Sequence, residues 1–199
     1  SASSGADPGG SIVGNYATLN PNHSFSTHSL TNGNLEVSRA SGAGFRPVRS
    51  TFGVSSGKWY FEFTSTTANQ FAYAGVMDQA DPFNITDGNV GIGDSAISYA
   101  CYFYSGNKRN NNSEASYGSA FSSGDIMGVA LDLDNGKIWF SKNNTWFASG
   151  DPAAGTNPAY TGVSGTKLPA VSAYDTNKVI CNFGQRPFAM SGGAPAGYK

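Results

Sequence analysis

Residues 124–140 contain two apolar-rich alternating runs separated by Asn135-Gly136. Both turn residues tolerate positive φ, and such a pair between alternating runs is the strongest short-range signal of a β-hairpin. A two-residue turn at this pair also predicts the register, with Leu131 opposite Phe140. The segment therefore predicts an antiparallel hairpin, which constrains the fold class of the whole chain.

The first strand of this hairpin has two chemically different faces. Its apolar face carries Met127, Val129, Leu131 and Leu133. Its other face carries small or acidic residues, namely Gly128, Ala130, Asp132 and Asp134. This alternation is typical of an antiparallel strand with one face on a core and one in water. We therefore expect the acidic face to be a solvated outer surface.

Short alternating segments recur along the chain, separated by clusters of Gly, Asn, Ser and Pro. The strand candidates are residues 35–37, 52–54, 57–64, 71–77, 97–104, 168–174 and 179–183. No helical periodicity of comparable length is present, so the pattern predicts an all-β fold, a two-sheet antiparallel β-sandwich. Residues 1–11 have the composition of a flexible Ser/Gly linker, and residues 12–199 are expected to form a single domain.

Composition excludes several classes of function. Only 13% of the residues are charged, the formal net charge is −1, and Lys108-Arg109 is the one local basic cluster. Phosphate neutralisation needs clustered Lys and Arg, so no nucleic acid partner is expected. No apolar stretch reaches the length of a membrane span. Cys101 and Cys181 share strand parity with apolar neighbours and are expected to be buried free thiols. No metal or other cofactor is expected, because no zinc or calcium spacing is present.

The acidic residues give little support for an enzyme. A glycosidase needs two carboxylates roughly 5–9.5 Å apart, and only Asp132 and Asp134 share a strand face at the right spacing. On the predicted outer face beside a turn, a solvated pair is the better interpretation. His23 and His28 lie in a polar N-terminal segment without a nearby nucleophile, so no Ser-His-acid site is expected. We therefore predict no catalytic residue.

Several motifs, in order, resemble the SPRY domain family. They are Gly57-Lys58-Trp59-Tyr60-Phe61-Glu62, Ala74-Gly75-Val76, Tyr117-Gly118, residues 124–133, Gly136-Lys137-Ile138-Trp139-Phe140, Leu168-Pro169-Ala170-Val171 and Asn182-Phe183-Gly184. The resemblance spans about residues 54–188 and implies a concanavalin A-like jelly roll of two antiparallel sheets. The loop style and the closing residues 182–188 are most similar to SPRY modules of tailed-phage structural proteins.

One motif departs from the family pattern. Many relatives carry Lys-Asn-Gly after the central hairpin, whereas this chain has Lys142-Asn143-Asn144. Asn still tolerates the left-handed region, so the turn is expected to survive.

The resemblance also implies where binding would occur. SPRY domains recognise short peptides or protein surfaces through loops at one end of the sandwich. Aromatic faces, amides and a guanidinium suit such a surface. The candidate binding residues on the long loops are Tyr104, Asn107, Lys108, Arg109, Trp146 and Asn84. The alternative is that Tyr104 and Trp146 pack on the sandwich while Lys108 and Arg109 only solvate a polar loop, residues 105–114.

Three functions remain open at this point. The first is a non-catalytic recognition module for a protein or glycan surface, on a phage particle or an extracellular assembly. The second is a structural or decoration domain that contacts neighbouring subunits in a homo-oligomer, virion or filament. The third and least favoured is a carbohydrate-active enzyme. The expected location is extracellular or on a virion.

Overall fold

The alternating segments form fourteen short strands in the computed structural model, which describes residues 16–82 and 89–199. In chain order they are β1 His28–Thr31, β2 Glu36–Arg39, β3 Arg46–Arg49, β4 Lys58–Ser65, β5 Ala72–Asp78, β6 Tyr99–Tyr102, β7 Lys108–Asn110, β8 Ser113–Ala115, β9 Ile126–Asp132, β10 Lys137–Lys142, β11 Thr145–Trp146, β12 Tyr160–Thr161, β13 Lys167–Ala173 and β14 Lys178–Asn182. Two short 3₁₀ helices cover Pro21–His23 and Phe147–Ser149.

The strands pair into two antiparallel sheets. The larger sheet has the order β1-β2-β14-β4-β9-β10-β11, with β12 also paired to β10. The smaller sheet has the order β3-β13-β5-β6-β7-β8. This arrangement confirms the predicted all-β sandwich. Within residues 16–82 and 89–199, no helix has the length and apolar character needed to span a bilayer.

The main core lies between the two sheets and is built from alternate residues of their strands. The larger sheet contributes Val37, Phe61, Phe63, Met127, Val129, Leu131, Ile138, Phe140 and Val179, and the smaller sheet contributes Val48, Ala74, Val76, Tyr99, Cys101 and Val171. The predicted apolar face of the central hairpin is therefore the core face. Burial of this face is the main source of stability, because apolar area removed from water contributes roughly 25 cal/mol per Å².

The central hairpin has a different register from the one predicted. Leu131 pairs with Ile138, and Phe140 pairs with Val129, so the strands are joined by residues 133–136. The Asp132 carboxylate explains the longer connection, because it accepts hydrogen bonds from both the backbone N–H and the side-chain amide of Asn135. The shift is two residues, so each side chain keeps its predicted face.

The acidic face of this hairpin is only partly solvated, because Asp134 is exposed as expected whereas Asp132 is buried, which corrects the expectation for Asp132. Asp132 is only 1% exposed, and its carboxylate lies 3.1 Å from Lys58 Nζ. Burial alone would raise the pKa of Asp132, but hydrogen bonds from Asn135 and Lys58 outweigh it and lower the pKa. Asp134 accepts a hydrogen bond from the Gly57 backbone N–H. Both carboxylates thus hold the hairpin in place.

Two further segments differ from their predictions, while one turn agrees. Residues 105–114, expected to be a loop, contain β7 and most of β8, joined at Asn111-Asn112 with φ of 51° and 56°. Residues 52–54 form no strand, and Val54 makes only an isolated bridge to Lys167. Asn143 and Asn144 have φ of 46° and 70° between β10 and β11, so the predicted turn is confirmed. The positive φ of Asn143 and Asn144, the two central residues, is what a type I′ turn requires.

Both cysteines are buried and free, as the sequence predicted. Burial in apolar surroundings raises the pKa of the Cys101 and Cys181 thiols, so neither is a reactive thiolate near neutral pH. The predicted N-terminal linker, residues 1–11, lies outside the described residues.

His28 on β1 is held as a neutral imidazole. Its Nδ1 lies 3.1 Å from Ser24 Oγ, and its ring meets the edge of the Phe25 ring at a centroid distance of 5.9 Å. Burial lowers its pKa to about 4, with further contributions from the positive charges of Arg39 and Arg46.

This lowered pKa predicts an acid sensitivity that depends on His28. Between pH 6.5 and about 4, the unfolded chain binds a proton at His28 that the folded chain does not bind. His28 therefore does not reduce the unfolding free energy above pH 6.5. As the pH falls below this value, the unfolding free energy decreases by at most about 1.4 kcal/mol per pH unit. Denaturant unfolding of wild type and His28→Gln over this range should show a shallower pH dependence in the variant. His23→Gln, at an exposed position, should behave like wild type. Equal slopes for wild type and His28→Gln would contradict this assignment.

Candidate binding surface

Six aromatic side chains form a continuous cluster on the outer side of the smaller sheet. We call it the aromatic platform, and its members are Phe45, Phe71, Tyr73, Tyr102, Tyr104 and Tyr174. Its centre follows from strand register, because β5 and β6 place Tyr73 directly opposite Tyr102. Their rings stack at a centroid distance of 4.2 Å and an interplanar angle of 17°. Cross-strand aromatic pairs of this kind stabilise a sheet face.

The other four rings are linked to this pair and to one another by ring contacts. Phe45 contacts Tyr73 at 4.7 Å and Tyr174 at 5.2 Å between centroids. Phe71 packs on Tyr104 at 5.0 Å and on Tyr174 at 6.0 Å, which closes the circle of contacts. Distances of 4.5–7 Å are typical of favourable aromatic pairs, so the rings hold one another in position.

The platform is partly open to solvent. Tyr73 is only 4% exposed, whereas Tyr104 is 56% exposed. Phe45, Phe71, Tyr102 and Tyr174 have intermediate exposure. Partial exposure of several adjoining rings leaves an apolar surface that a ligand could cover, which is characteristic of interaction sites.

Arg109 lies at the edge of the platform, called its rim here, and is held there by several polar contacts. Its guanidinium lies 5.3 Å from the Tyr73 ring centroid. Its nitrogens lie 2.6 Å from Asp94 Oδ1 and 3.2 Å from Glu114 Oε1, and they also donate to Asn112. The Tyr73 hydroxyl donates to the same Glu114 carboxylate. Burial raises the pKa of Tyr73, and Glu114 raises it further, so the hydroxyl stays protonated. Two carboxylates thus neutralise Arg109 at this rim.

Asn107 and Lys108 are neighbours in sequence, but their side chains lie on opposite sides of the smaller sheet. The Asn107 side chain donates to Glu114 at 3.3 Å and so belongs to the rim of the platform. Lys108 Nζ instead donates to the Ala159 carbonyl at 2.7 Å. It lies 5.3 Å and 4.8 Å from the Tyr117 and Tyr160 ring centroids, and burial lowers its pKa. This lysine is therefore engaged at the inner side of the strand.

The predicted binding residues are not all in one place. Tyr104, Asn107 and Arg109 lie at the platform. Trp146 lies on the larger sheet, where its ring meets Tyr60 at 6.3 Å. Asn84 falls outside the described residues. A direct role of these six residues in binding stays a prediction.

Several platform residues were not singled out from the sequence. Phe45, Phe71 and Tyr174 come from three separate segments, and only tertiary folding brings them together. Tyr102 could have been found, because it shares strand parity with Tyr104 and alternates with the core residues Cys101 and Phe103. Aromatic residues on the non-core side of a strand indicate a second apolar surface.

Among the described residues, no three His, Cys, Asp or Glu side chains are grouped in a way that could hold a metal ion. The Asp132 and Asp134 pair, considered above as a possible catalytic pair, is committed to the structural hydrogen bonds of its hairpin. The chemistry of the platform is that of stacking surfaces and hydrogen-bonding groups, which suits binding.

Comparison with known proteins agrees with this architecture. A family model described as "SPRY domain" matches residues 58–186. The chain is 31% identical over 144 residues to E3 ubiquitin-protein ligase RKP of Arabidopsis thaliana, an alignment that covers 72% of this chain and 10% of that protein. The chain thus spans about a tenth of the length of that curated relative.

Solved structures show the same fold. The SPRY domain of human HERC1 superposes with a TM-score of 0.63 at 20% identity, covering 83% of this chain and 97% of that domain. The TRIM65 PSpry domain superposes with a TM-score of 0.65 at 15% identity, covering 84% of this chain and 89% of that domain. SPRY domains are non-catalytic modules of protein interaction. The present chain belongs to the SPRY domain family.

Proposed function

We propose that this chain recognises a segment of a partner protein on the aromatic platform. The observation that carries the proposal is the continuous, partly exposed aromatic surface, supported by the rigid smaller sheet. Its centre is the stacked pair of Tyr73 and Tyr102, and its most exposed member is Tyr104. Rings held in place by their neighbours offer contact area with little loss of side-chain entropy on binding.

The electrostatics of the rim indicate what kind of segment would fit. Arg109 is already paired with Asp94 and Glu114, so the cation that the described residues place beside the platform is already neutralised. Recognition would therefore depend on apolar and aromatic contacts and on hydrogen bonds to the rim amides. We expect the affinity to change little with ionic strength, because attraction between opposite charges is what salt screens.

Replacing Tyr104 with Ala should weaken partner binding by a factor of about ten or more, the usual effect of truncating an aromatic anchor residue. Peptides selected from a random displayed library against the wild-type chain would provide the ligand. Titration calorimetry of the best peptide with wild type and Tyr104→Ala would then measure the ratio. The variant should stay folded, because this side chain is 56% exposed.

Phe52→Ala is the matched control, because Phe52 is an exposed aromatic residue that makes no contact with the platform rings in the described structure. Its affinity for the same peptide should stay within about twofold of wild type. Equal losses in both variants, or none in either, would contradict a binding site on the platform. If no peptide is selected, and if wild type binds a glycan on an array while Tyr104→Ala does not, the ligand of the platform would instead be a carbohydrate.

The setting of this function stays a prediction. None of the three relatives named above is a phage protein, and a location on a virion or in the extracellular space rests on the loop style and the closing residues 182–188 of the sequence. A glycan ligand, a homo-oligomer and a decoration role are likewise predictions from the sequence.

A further inference from the structure

The last part of the chain crosses the outer face of the larger sheet. Residues 187–199, called the strap here, contain glycines and prolines at short intervals and form no strand or helix. The strap covers the face that the sequence suggested would be solvated.

The sheet beneath the strap is shaped as a groove. Small side chains form its floor, because Gly128 and Ala130 of β9 and Ser141 of β10 point outward. A Cβ atom at position 128 would clash with Ser141 and the Tyr60 ring, so no side chain larger than that of Gly fits at this point of the groove. The aromatic walls are Tyr60, Trp139 and Trp146.

Three strap side chains fill this groove. The Phe188 ring meets the edge of Tyr60 at 4.8 Å, and Met190 and Tyr198 are each buried against the same cluster. This cluster is separate from the core between the two sheets. Removing the strap would thus expose one outer surface without opening the main core.

Glu62 recognises the backbone of the strap. Its carboxylate, on a residue only 3% exposed, accepts the consecutive backbone N–H groups of Ala189 and Met190 at 3.1 Å each. Tyr60 and Asn182 donate to the same carboxylate at 3.0 Å and 3.1 Å. Two consecutive N–H groups can meet one carboxylate only where the backbone bends, as it does at Ala189 and Met190, so these charge-assisted hydrogen bonds fix a bent segment of the strap.

The far end of the strap adds to the sheet. Lys199 donates its backbone N–H to the Lys58 carbonyl, and its own carbonyl accepts from the Tyr60 N–H. β14 pairs with β4 only as far as Glu62, so Lys199 occupies the edge that β14 leaves open. Addition of a strand-like segment to an open edge is a recurring mode of peptide recognition.

The side chains of the groove are also held by hydrogen bonds that do not involve the strap. Trp139 Nε1 donates to the Thr156 carbonyl at 2.7 Å, and Glu62 keeps the hydrogen bonds from Tyr60 and Asn182. The family match ends at residue 186, directly before the strap. Receptor and ligand are therefore distinct parts of the chain.

We propose that the outer face of the larger sheet is a second peptide-binding groove, and that the strap is its exchangeable ligand, bound in cis. The groove selects a bent segment with an aromatic residue and a Met two positions apart, as in Phe188 and Met190, and two consecutive backbone N–H groups that can donate to Glu62. It lies on the sheet opposite the platform, so the two sites can be tested independently.

Native-state hydrogen exchange on the unmodified chain is the first test. The amides of Ala189 and Met190 should exchange at least about tenfold faster than those of Val129 and Leu131, because the strap opens without unfolding the sandwich. Equal rates would mean that the strap opens only with global unfolding, and would overturn the proposal.

A labelled peptide with the sequence of Pro187–Lys199 is the second test. A chain with Phe188→Ser and Met190→Ser should bind it at least about tenfold more tightly than wild type does, because a bound strap reduces the fraction of open grooves. Ser191→Ala, at an exposed strap position, should match wild type. The peptide with the same two serines should not bind. Absence of binding to the folded double variant, or unfolding of that variant, would overturn the proposal, and Tyr104→Ala should leave this binding unchanged.

Discussion

Replacing Lys167 with Met is expected to lower the unfolding free energy by about 3–5 kcal/mol, because it leaves a buried carboxylate without its cation. Lys167 is fully buried, and its Nζ lies 2.8 Å from Asp78 Oδ2 and 2.9 Å from the Ile97 carbonyl. Burial would raise the pKa of Asp78, but the hydrogen bonds from Lys167 and the Ala80 amide lower it. The ion pair joins β13 to the end of β5, so its loss affects the smaller sheet directly.

Denaturant titration monitored by tryptophan fluorescence would measure this change. Asp78→Asn combined with Lys167→Met removes both charges, and the double variant should recover part of the loss, because the cost of an unpaired buried charge disappears. A single variant that loses less than about 1 kcal/mol, or a double variant that equals the sum of the two single changes, would contradict coupling between these residues.

Leu131→Ala should lower the unfolding free energy by about 2–5 kcal/mol, the range for a cavity in a core that relaxes only partly. Leu131 is fully buried on the core face of β9 and pairs with Ile138 and Trp59 on its two sides. Strands on both sides limit collapse around the cavity, which keeps the cost near the upper part of the range. Calorimetric unfolding or urea titration would test it.

Leu133→Ala provides the matched control on the same strand face. Leu133 follows the end of β9 and is only partly buried against the core. Leu133→Ala should lower the unfolding free energy by less than half as much as Leu131→Ala does. Leu133 buries less apolar area on folding, and the loop can adjust to the smaller side chain. Equal losses at the two positions would mean that the core extends to the loop, contrary to the packing described above.

The local pattern predicted most of the sandwich. Each strand rises with a period of two, so the apolar parity of Met127, Val129 and Leu131 identifies the core face without knowledge of partners. The same parity rule puts Phe61 and Phe63 of β4 on one face, and both are buried in the core between the sheets. The turn at Asn143-Asn144 was also predictable, because the tolerance of Asn for positive φ is a property of the residue itself.

The hairpin register was less predictable for an equally local reason. Two connections were possible around Asn135-Gly136, and the Asp132 carboxylate decided between them by accepting hydrogen bonds from Asn135. Pattern alone gives the face but not the register, since a shift of two residues preserves every face.

The outer faces could not be inferred in this way. The alternation of Gly128, Ala130 and Asp132 showed only that these residues do not face the core between the sheets, and solvent was the simplest alternative. Ala130 packs against the strap, which follows β9 by more than fifty residues along the chain, and Asp132 is paired with Lys58 of β4. No local property of β9 indicates such a distant partner.

The sequence by itself determined the all-β class, the core face of each main strand and the motifs of the family, because these depend on residue period and turn chemistry. The tertiary structure alone decided which surfaces are available to a partner. It stacked Tyr73 on Tyr102 beside Phe45, turned Lys108 inward, and placed Trp146 beneath the strap. The physical reason is that exposure depends on contacts between segments far apart in the chain, whereas strand parity depends only on neighbouring residues.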